Sequence, residues 1–252
     1  MSTADEVRAD SPLPLWEVPG WRERFGVVAG ITGRGDDPAH PFDLGLSSRA
    51  PIIEVLGRWR QLRDELRFVG QVAGYQVHGD RVAWHEGSGP ASWTVLDATD
   101  GHATRTPGRL LHVTAADCVP VYLIAPRYRA IALVHAGWRG TAAGIVGRAL
   151  QVLREAAGAP ASDIVMHAGI GICGSCYEVG SEVVEALRQP VTGSGPWHVD
   201  LRDVLLQQAR SLGVGEMTAS GLCTACHRDH FFSHRGSRGS DGRMLAYLGM
   251  PA

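Results

Sequence analysis

The apolar positions along the chain fall into blocks with two different periods. "FGVVAGIT" (25–32) is a nearly continuous apolar run closed by "GRGDD", which predicts a buried strand and a turn. Between 52 and 66 the apolar residues recur at 52, 53, 55, 56, 59, 62 and 66, the spacing of an amphipathic helix. "FVGQVAGYQVHG" (68–79) and "RVAW" (81–84) read as strands, and "HEGSGPAS" (85–92) reads as a loop. Three further runs follow, "LLHVT" (110–114), "VPVYLIA" (119–125) and "AIALVHA" (130–136). The short connection in "APRYRA" predicts a hairpin from the last two. After "GWRG", apolar residues at 142, 145, 146, 149, 150 and 153 predict a helix ending near Gly158. "DIVMHAGIG" (163–171) is another strand. Helices are expected at 181–189 and 201–212, the second capped by Asp200.

Strands and helices mix without a regular βαβ rhythm. The pattern therefore favours an α+β fold in a single domain spanning 15–252, behind a flexible N-terminal tail at 1–14.

Composition narrows the function classes. The chain has 252 residues, 44% of them hydrophobic, enough for a substantial core. A net charge of −2 gives no general attraction to nucleic acid or to an anionic membrane. The polar, acidic start "MSTADEVRADSPLPLW" lacks the features of a secretory signal, and no apolar run is long enough to span a bilayer. The expected compartment is the cytoplasm, where the five cysteines would be thiols or metal ligands. That setting argues against covalent haem at Cys223-Thr-Ala-Cys226-His227, although the C-x-x-C-H pattern is present. The sequence sets no oligomeric state.

The hairpin carries candidate chemistry. Pairing Ala125 with Ala130 sets Cys118 opposite Gly137 and puts His135 one diagonal away on the same face. "QVHGD" supplies a further imidazole, His78. Two histidines and one cysteine leave a fourth position open on a tetrahedral zinc, the mark of a catalytic site. Taken singly, Cys118 also reads as a small buried apolar residue, and each histidine as a hydrogen-bonded structural one. A one-residue slip of register would turn Cys118 to the other face. The remaining thiols form two C-x-x-C pairs, Cys173/Cys176 and Cys223/Cys226. Residues 177–222 separate them, far more than in a compact zinc ribbon. No P-loop and no G-x-S-x-G elbow is present. Arg139, at a predicted helix start, and Arg58, on the early helix, are the candidate anion-binding arginines; each alone also suits a surface ion pair.

The motifs "QVHGD", "TAADCVPVYL", "HAGWRGTAAGIV", "CYEVG", "FFSHR" and "GR" occur in this order between about residue 25 and residue 248. In them the chain resembles the purine nucleoside phosphorylase family once called multicopper polyphenol oxidase or laccase-domain proteins, which includes a peptidoglycan editing branch. The resemblance implies packed mixed β-sheets flanked by helices. It implies a metal site of His78, Cys118 and His135, holding zinc, with copper as the alternative ion. It implies phosphorolysis of adenosine, inosine and methylthioadenosine, with adenosine deamination as a second activity. Purine nucleosides and inorganic phosphate are then the expected partners. The alternatives are a copper-dependent polyphenol oxidase and a cell-wall precursor editing factor. Asp117, beside Cys118, is the expected orienting carboxylate or base, and Arg58 and Arg139 are expected to hold phosphate. Cys223, His234 and Arg235 fall on recurring positions of the family's C-terminal segment and are expected in the pocket or its wall. The chain departs from the family pattern at Gly57-Arg58, at "AGIGICG" and at Gly236.

Overall fold

The computed structural model describes residues 2–46, 50–87, 93–190 and 193–252. The greater part of the predicted 85–92 loop, residues 88–92, lies outside the described residues. In chain order the strands are β1 (Ser2–Thr3), β2 (Val7–Arg8), β3 (Leu15–Glu17), β4 (Val28–Thr32), β5 (Gly70–Gly74), β6 (Val82–His85), β7 (Trp93–Leu96), β8 (Gly101–Thr104), β9 (Arg109–Ala115), β10 (Val119–Ala125), β11 (Ala130–Ala136), β12 (Val165–Ala168), β13 (Glu178–Val179), β14 (Trp197–His198), β15 (Glu216–Ala219) and β16 (Met244–Gly249). The helices are α1 (Trp21–Phe25), α2 (Ile52–Glu65), α3 (Trp138–Ala143), α4 (Ile145–Ala157), α5 (Ser181–Ala186) and α6 (Leu201–Ser211). They build the expected α+β fold.

Two mixed seven-stranded sheets face each other. Their strand orders are β1-β15-β12-β10-β11-β8-β6 and β2-β3-β4-β16-β9-β5-β7. Strand alternation divides the core into three layers. On β10, Val119, Val121, Leu123 and Ala125 pack outward with residues of α4, α5 and α6. Tyr122 and Ile124 point the other way and meet Leu111, Val113, Met244, Ala246 and Leu248 of the second sheet. On the far side of that sheet, Leu110, Leu245 and Tyr247 pack with Val55, Trp59 and Leu62 of α2. Both β9 and β10 are therefore buried on two faces, which is why they read as continuous apolar runs.

The hairpin register is the one the sequence predicts, Ala125↔Ala130 through Val119↔Ala136. Asp200 caps α6 by accepting from the Arg202 amide at 3.0 Å, and α4 ends at Gly158 in the left-handed region, φ 74°. Three expectations need correction. The helix after "GWRG" is two helices, because Gly144 takes φ 84° between α3 and α4. The strand expected over 68–79 stops at Gly74, since the amides of 77–79 turn away to bind a buried carboxylate. Residues 1–14 are not a flexible tail over their described part. β1 extends the first sheet alongside β15, and β2 pairs with β3. Between them Glu6, 2% exposed, accepts from the Ile170 amide at 3.0 Å and lies 3.3 Å from His167. A buried carboxylate with such partners holds the segment down.

Candidate metal centre and its cavity

Three segments converge at one end of the sheet pair. His78 follows β5, Cys118 precedes β10, and His135 lies on β11. One donor atom from each lies within 4.8 Å of the others, and the rings of His78 and His135 sit 4.9 Å apart. The sequence-predicted trio is thus brought together.

The group that positions it is Asp100, which sequence reasoning missed. Its carboxylate, 0% exposed, accepts from the amides of Val77, His78 and Gly79 at 2.9–3.0 Å and from His135 Nδ1 at 3.0 Å. Capture of three successive amides holds His78 at φ 60°, a conformation that costs a non-glycine residue energy. Engaging Nδ1 leaves Nε2 of His135 as the free donor, the usual carboxylate–histidine arrangement behind a metal. The only hint in the sequence is an aspartate just before a strand in "ATDGHAT", a position equally suited to a turn. Gly137 adds a steric condition, since a Cβ there would lie 3.0 Å from Cys118 Sγ and 3.1 Å from His78 Cδ2.

The electrostatics tie Cys118 and His135 together. Burial opposes charge on both Cys118 and His135, but their mutual attraction and hydrogen bonding prevail. Together with His78 they bring the Cys118 thiol down to about 6. Cys118 and Asp100 hold the His135 imidazole up at about 9. The metal-free trio therefore holds a thiolate–imidazolium pair, and an ion that binds displaces the His135 proton. The thiolate between two imidazoles that results fits a zinc-class ion with three protein donors and one open position.

That position faces a cavity of about 600 Å³. Tyr75, Trp138 and Tyr177 supply aromatic surface; Arg139, Arg235 and Arg243 supply positive charge; His234 and Asp117 are among the other polar residues of the lining. Arg139 stacks on Trp138 at 4.3 Å, and Arg235 lies 5.2 Å from the Tyr177 ring. Asp117, at φ 84°, accepts from Thr224 Oγ1 and from the Arg235 amide, each at 2.6 Å. Orientation of the donors therefore falls to Asp100, and Asp117 ties the C-terminal segment to the cavity floor.

Two predicted residues lie elsewhere. Arg58 lines a neighbouring cavity of about 500 Å³ with Arg34 and Arg243, and donates to the Asp43 carbonyl and to Glu54. Arg243 borders both cavities; it stands in the "GR" motif of the family resemblance, which gave it no role. Cys223 is buried away from the cavity lining, among the other three C-x-x-C thiols.

The sequence model of the multi-copper polyphenol oxidoreductase laccase family matches residues 25–251. The purine nucleoside phosphorylase YlmD of Geobacillus stearothermophilus is 34% identical, over 89% of this chain and 90% of its own. A purine nucleoside phosphorylase of Deinococcus radiodurans is 33% identical, over 90% of this chain and 84% of its own. The crystal structure of the Geobacillus YlmD superposes with a TM-score of 0.87 at 31% identity, covering 98% of this chain and 100% of that one. No helix among the described residues is long and apolar enough to cross a membrane.

Proposed function

The chain belongs to the multi-copper polyphenol oxidoreductase laccase family, and from that premise we propose that it is a zinc-dependent purine nucleoside phosphorylase acting on adenosine, inosine and methylthioadenosine. The observation that carries the reading is the donor set His78, Cys118 and His135 opening onto a cavity walled by aromatic rings and arginines. The names of the relatives supply the reaction class.

In the proposed reaction the purine lies against Tyr75, Trp138 or Tyr177, where a flat ring finds apolar contact. Arg139, Arg235 and Arg243 hold hydrogen phosphate beside the ribose, in the role first expected of Arg58. A phosphate oxygen bonds to C1′ as the C1′–N9 bond breaks, and the electron pair of that bond leaves with the base. The proton of hydrogen phosphate ends on the purine, so the products are free base and the sugar 1-phosphate, ribose 1-phosphate from adenosine or inosine and its 5-methylthio counterpart from methylthioadenosine. His234, in the same lining, is the candidate to carry that proton, and the Asp117 carboxylate stabilises positive charge developing on the sugar. The ion, when bound, supplies a Lewis acid at the open position. Adenosine deamination is assigned to the same pocket on the family resemblance.

The donor groups do not favour the oxidase alternative. Four-electron reduction of oxygen by a laccase needs several coppers. Among the described residues only two sets of three or more His, Cys, Asp or Glu donors converge, and just one contains histidine.

Turnover of inosine and adenosine by zinc-loaded protein, with and without phosphate, tests the reading. We expect phosphate-dependent release of free base, reduced in Cys118→Ala by more than the roughly 10–100-fold that outer-shell changes cost. Inosine formed from adenosine without phosphate would report the deaminase reaction. No base release from either nucleoside would reject the phosphorylase, and metal-free Cys118→Ala with full activity would reject the site.

A further inference from the structure

The two C-x-x-C pairs, too far apart in sequence for a compact ribbon, are brought together by the topology. β12 and β15 are adjacent and parallel, in register from Val165↔Glu216 to Ala168↔Ala219, so both leave the sheet at the same end. The loop after β12 carries Cys173 and Cys176, and the loop after β15 carries Cys223 and Cys226. A bridge between Gly171 and Cys223 continues the pairing into these loops. The intervening residues form α5, α6 and the short strands, and return the chain to its starting edge.

All four sulfurs lie within 4.8 Å of one another. Cys176 and Cys226 are 3.5 Å apart, and Cys173 and Cys226 are 4.0 Å apart. A tetrahedral ion with metal–sulfur bonds of about 2.3 Å spaces its sulfurs by about 3.8 Å. The thiols are free, and their separations are far from the roughly 2.0 Å of a disulfide. One backbone amide also meets the cluster: that of Cys173 donates to Cys223 Sγ at 3.2 Å. Arg202, 5% exposed, donates to the carbonyls of Ser220 and Leu222 in the second loop and pairs with Asp200 at 2.9 Å, and Asp200 accepts from the Gly174 amide of the first loop at 3.2 Å. An ion pair thus bridges the same two loops beside the four sulfurs.

We propose that Cys173, Cys176, Cys223 and Cys226 form a second, structural zinc site that fastens the loops after β12 and β15 to each other. Four protein donors close the coordination shell, so this site does no chemistry on substrate. Loading releases the thiol protons to solvent, with no change of redox state. Its reach extends to the first centre. The Ile172 amide donates to the Asp117 carbonyl at 2.9 Å and Thr224 Oγ1 to its carboxylate, so both fastened loops grip the residue before Cys118.

Metal content after zinc loading and gel filtration tests this in the full chain, across the wild type, Cys118→Ala and the solvent-exposed Cys226→Ser. Cobalt substitution adds a readout independent of activity, because a tetrathiolate and a His₂Cys site give different ligand-field spectra. The expected result is two ions in the wild type and one in each variant, with the tetrathiolate spectrum kept by Cys118→Ala and lost by Cys226→Ser. A single ion kept by Cys118→Ala and lost by Cys226→Ser would still support the thiol site while counting against the first centre. Metal lost entirely in Cys118→Ala and unchanged in Cys226→Ser would overturn the proposal. So would disulfides among the four cysteines in the zinc-loaded wild type.

Discussion

Asp100 shows how one side chain sets the geometry of the centre. Its Oδ1 takes the His78 amide and His135 Nδ1, and its Oδ2 takes the amides of Val77 and Gly79. All four partners are donors, so both oxygens must be acceptors. Asparagine at this place would turn an NH₂ group toward two of those donors whichever way it were flipped. Asp100→Asn should therefore weaken zinc binding by about 10–100-fold, the usual range for an outer-shell partner. It should also cost about 2–4 kcal/mol of stability for two buried donors left unmatched. Competition against a chelator measures the first effect and urea unfolding the second. Unchanged affinity would mean that His78 and His135 are held by something other than this carboxylate.

At the scale of elements, the N-terminal segment is the sharpest test of the packing. Glu6 reaches between β1 and β2 to bond Ile170, on the stretch that leads to Cys173. Glu6→Ala removes the partner of that amide and of His167 while leaving both buried. A loss of about 2–4 kcal/mol in chemical unfolding is expected; an effect within about 0.5 kcal/mol would restore the flexible-tail reading. This segment was illegible in the sequence because its strands have two residues each, and its anchor is a lone glutamate in a polar run. β9, β10 and β11 were legible for the opposite reason. Their apolar runs and the short turn at 126–129 leave little freedom in register. β16 went unread although it lies at the centre of the second sheet, because its partners β4 and β9 are distant in sequence and no turn signal announces them. The same applies to the site. The His–Cys pair followed from hairpin register, whereas Asp100 and the meeting of the two C-x-x-C pairs depend on long-range topology.

Across the whole molecule, the layers seal several histidines away from water, and this fixes how stability responds to acid. Desolvation brings His102 down to about 3, with the charges of His85 and His112 adding to it. Burial brings His112 to about 3 and His85 to about 4. Each pKa lies below its ordinary value of 6.5, so all three are neutral in the folded chain at pH 7. In the unfolded chain they take up protons once the pH falls below about 6.5, so their contribution is whole above that value and is lost on acidification toward the folded pKa. Each buried histidine then contributes a slope approaching about 1.4 kcal/mol per pH unit. For His102 and His112 together this amounts to about 5 kcal/mol between pH 6.5 and pH 4.5, before most carboxylates titrate. His112 isolates the effect, because it packs edge-on against Trp59 and neither ring nitrogen has a hydrogen-bond partner of good geometry. Urea unfolding of the wild type and His112→Phe across this pH range should give slopes that differ by about one proton, with the variant the shallower. Parallel slopes would mean that His112 is protonated in the folded protein, with water reaching it from the cavity that it and Trp59 border.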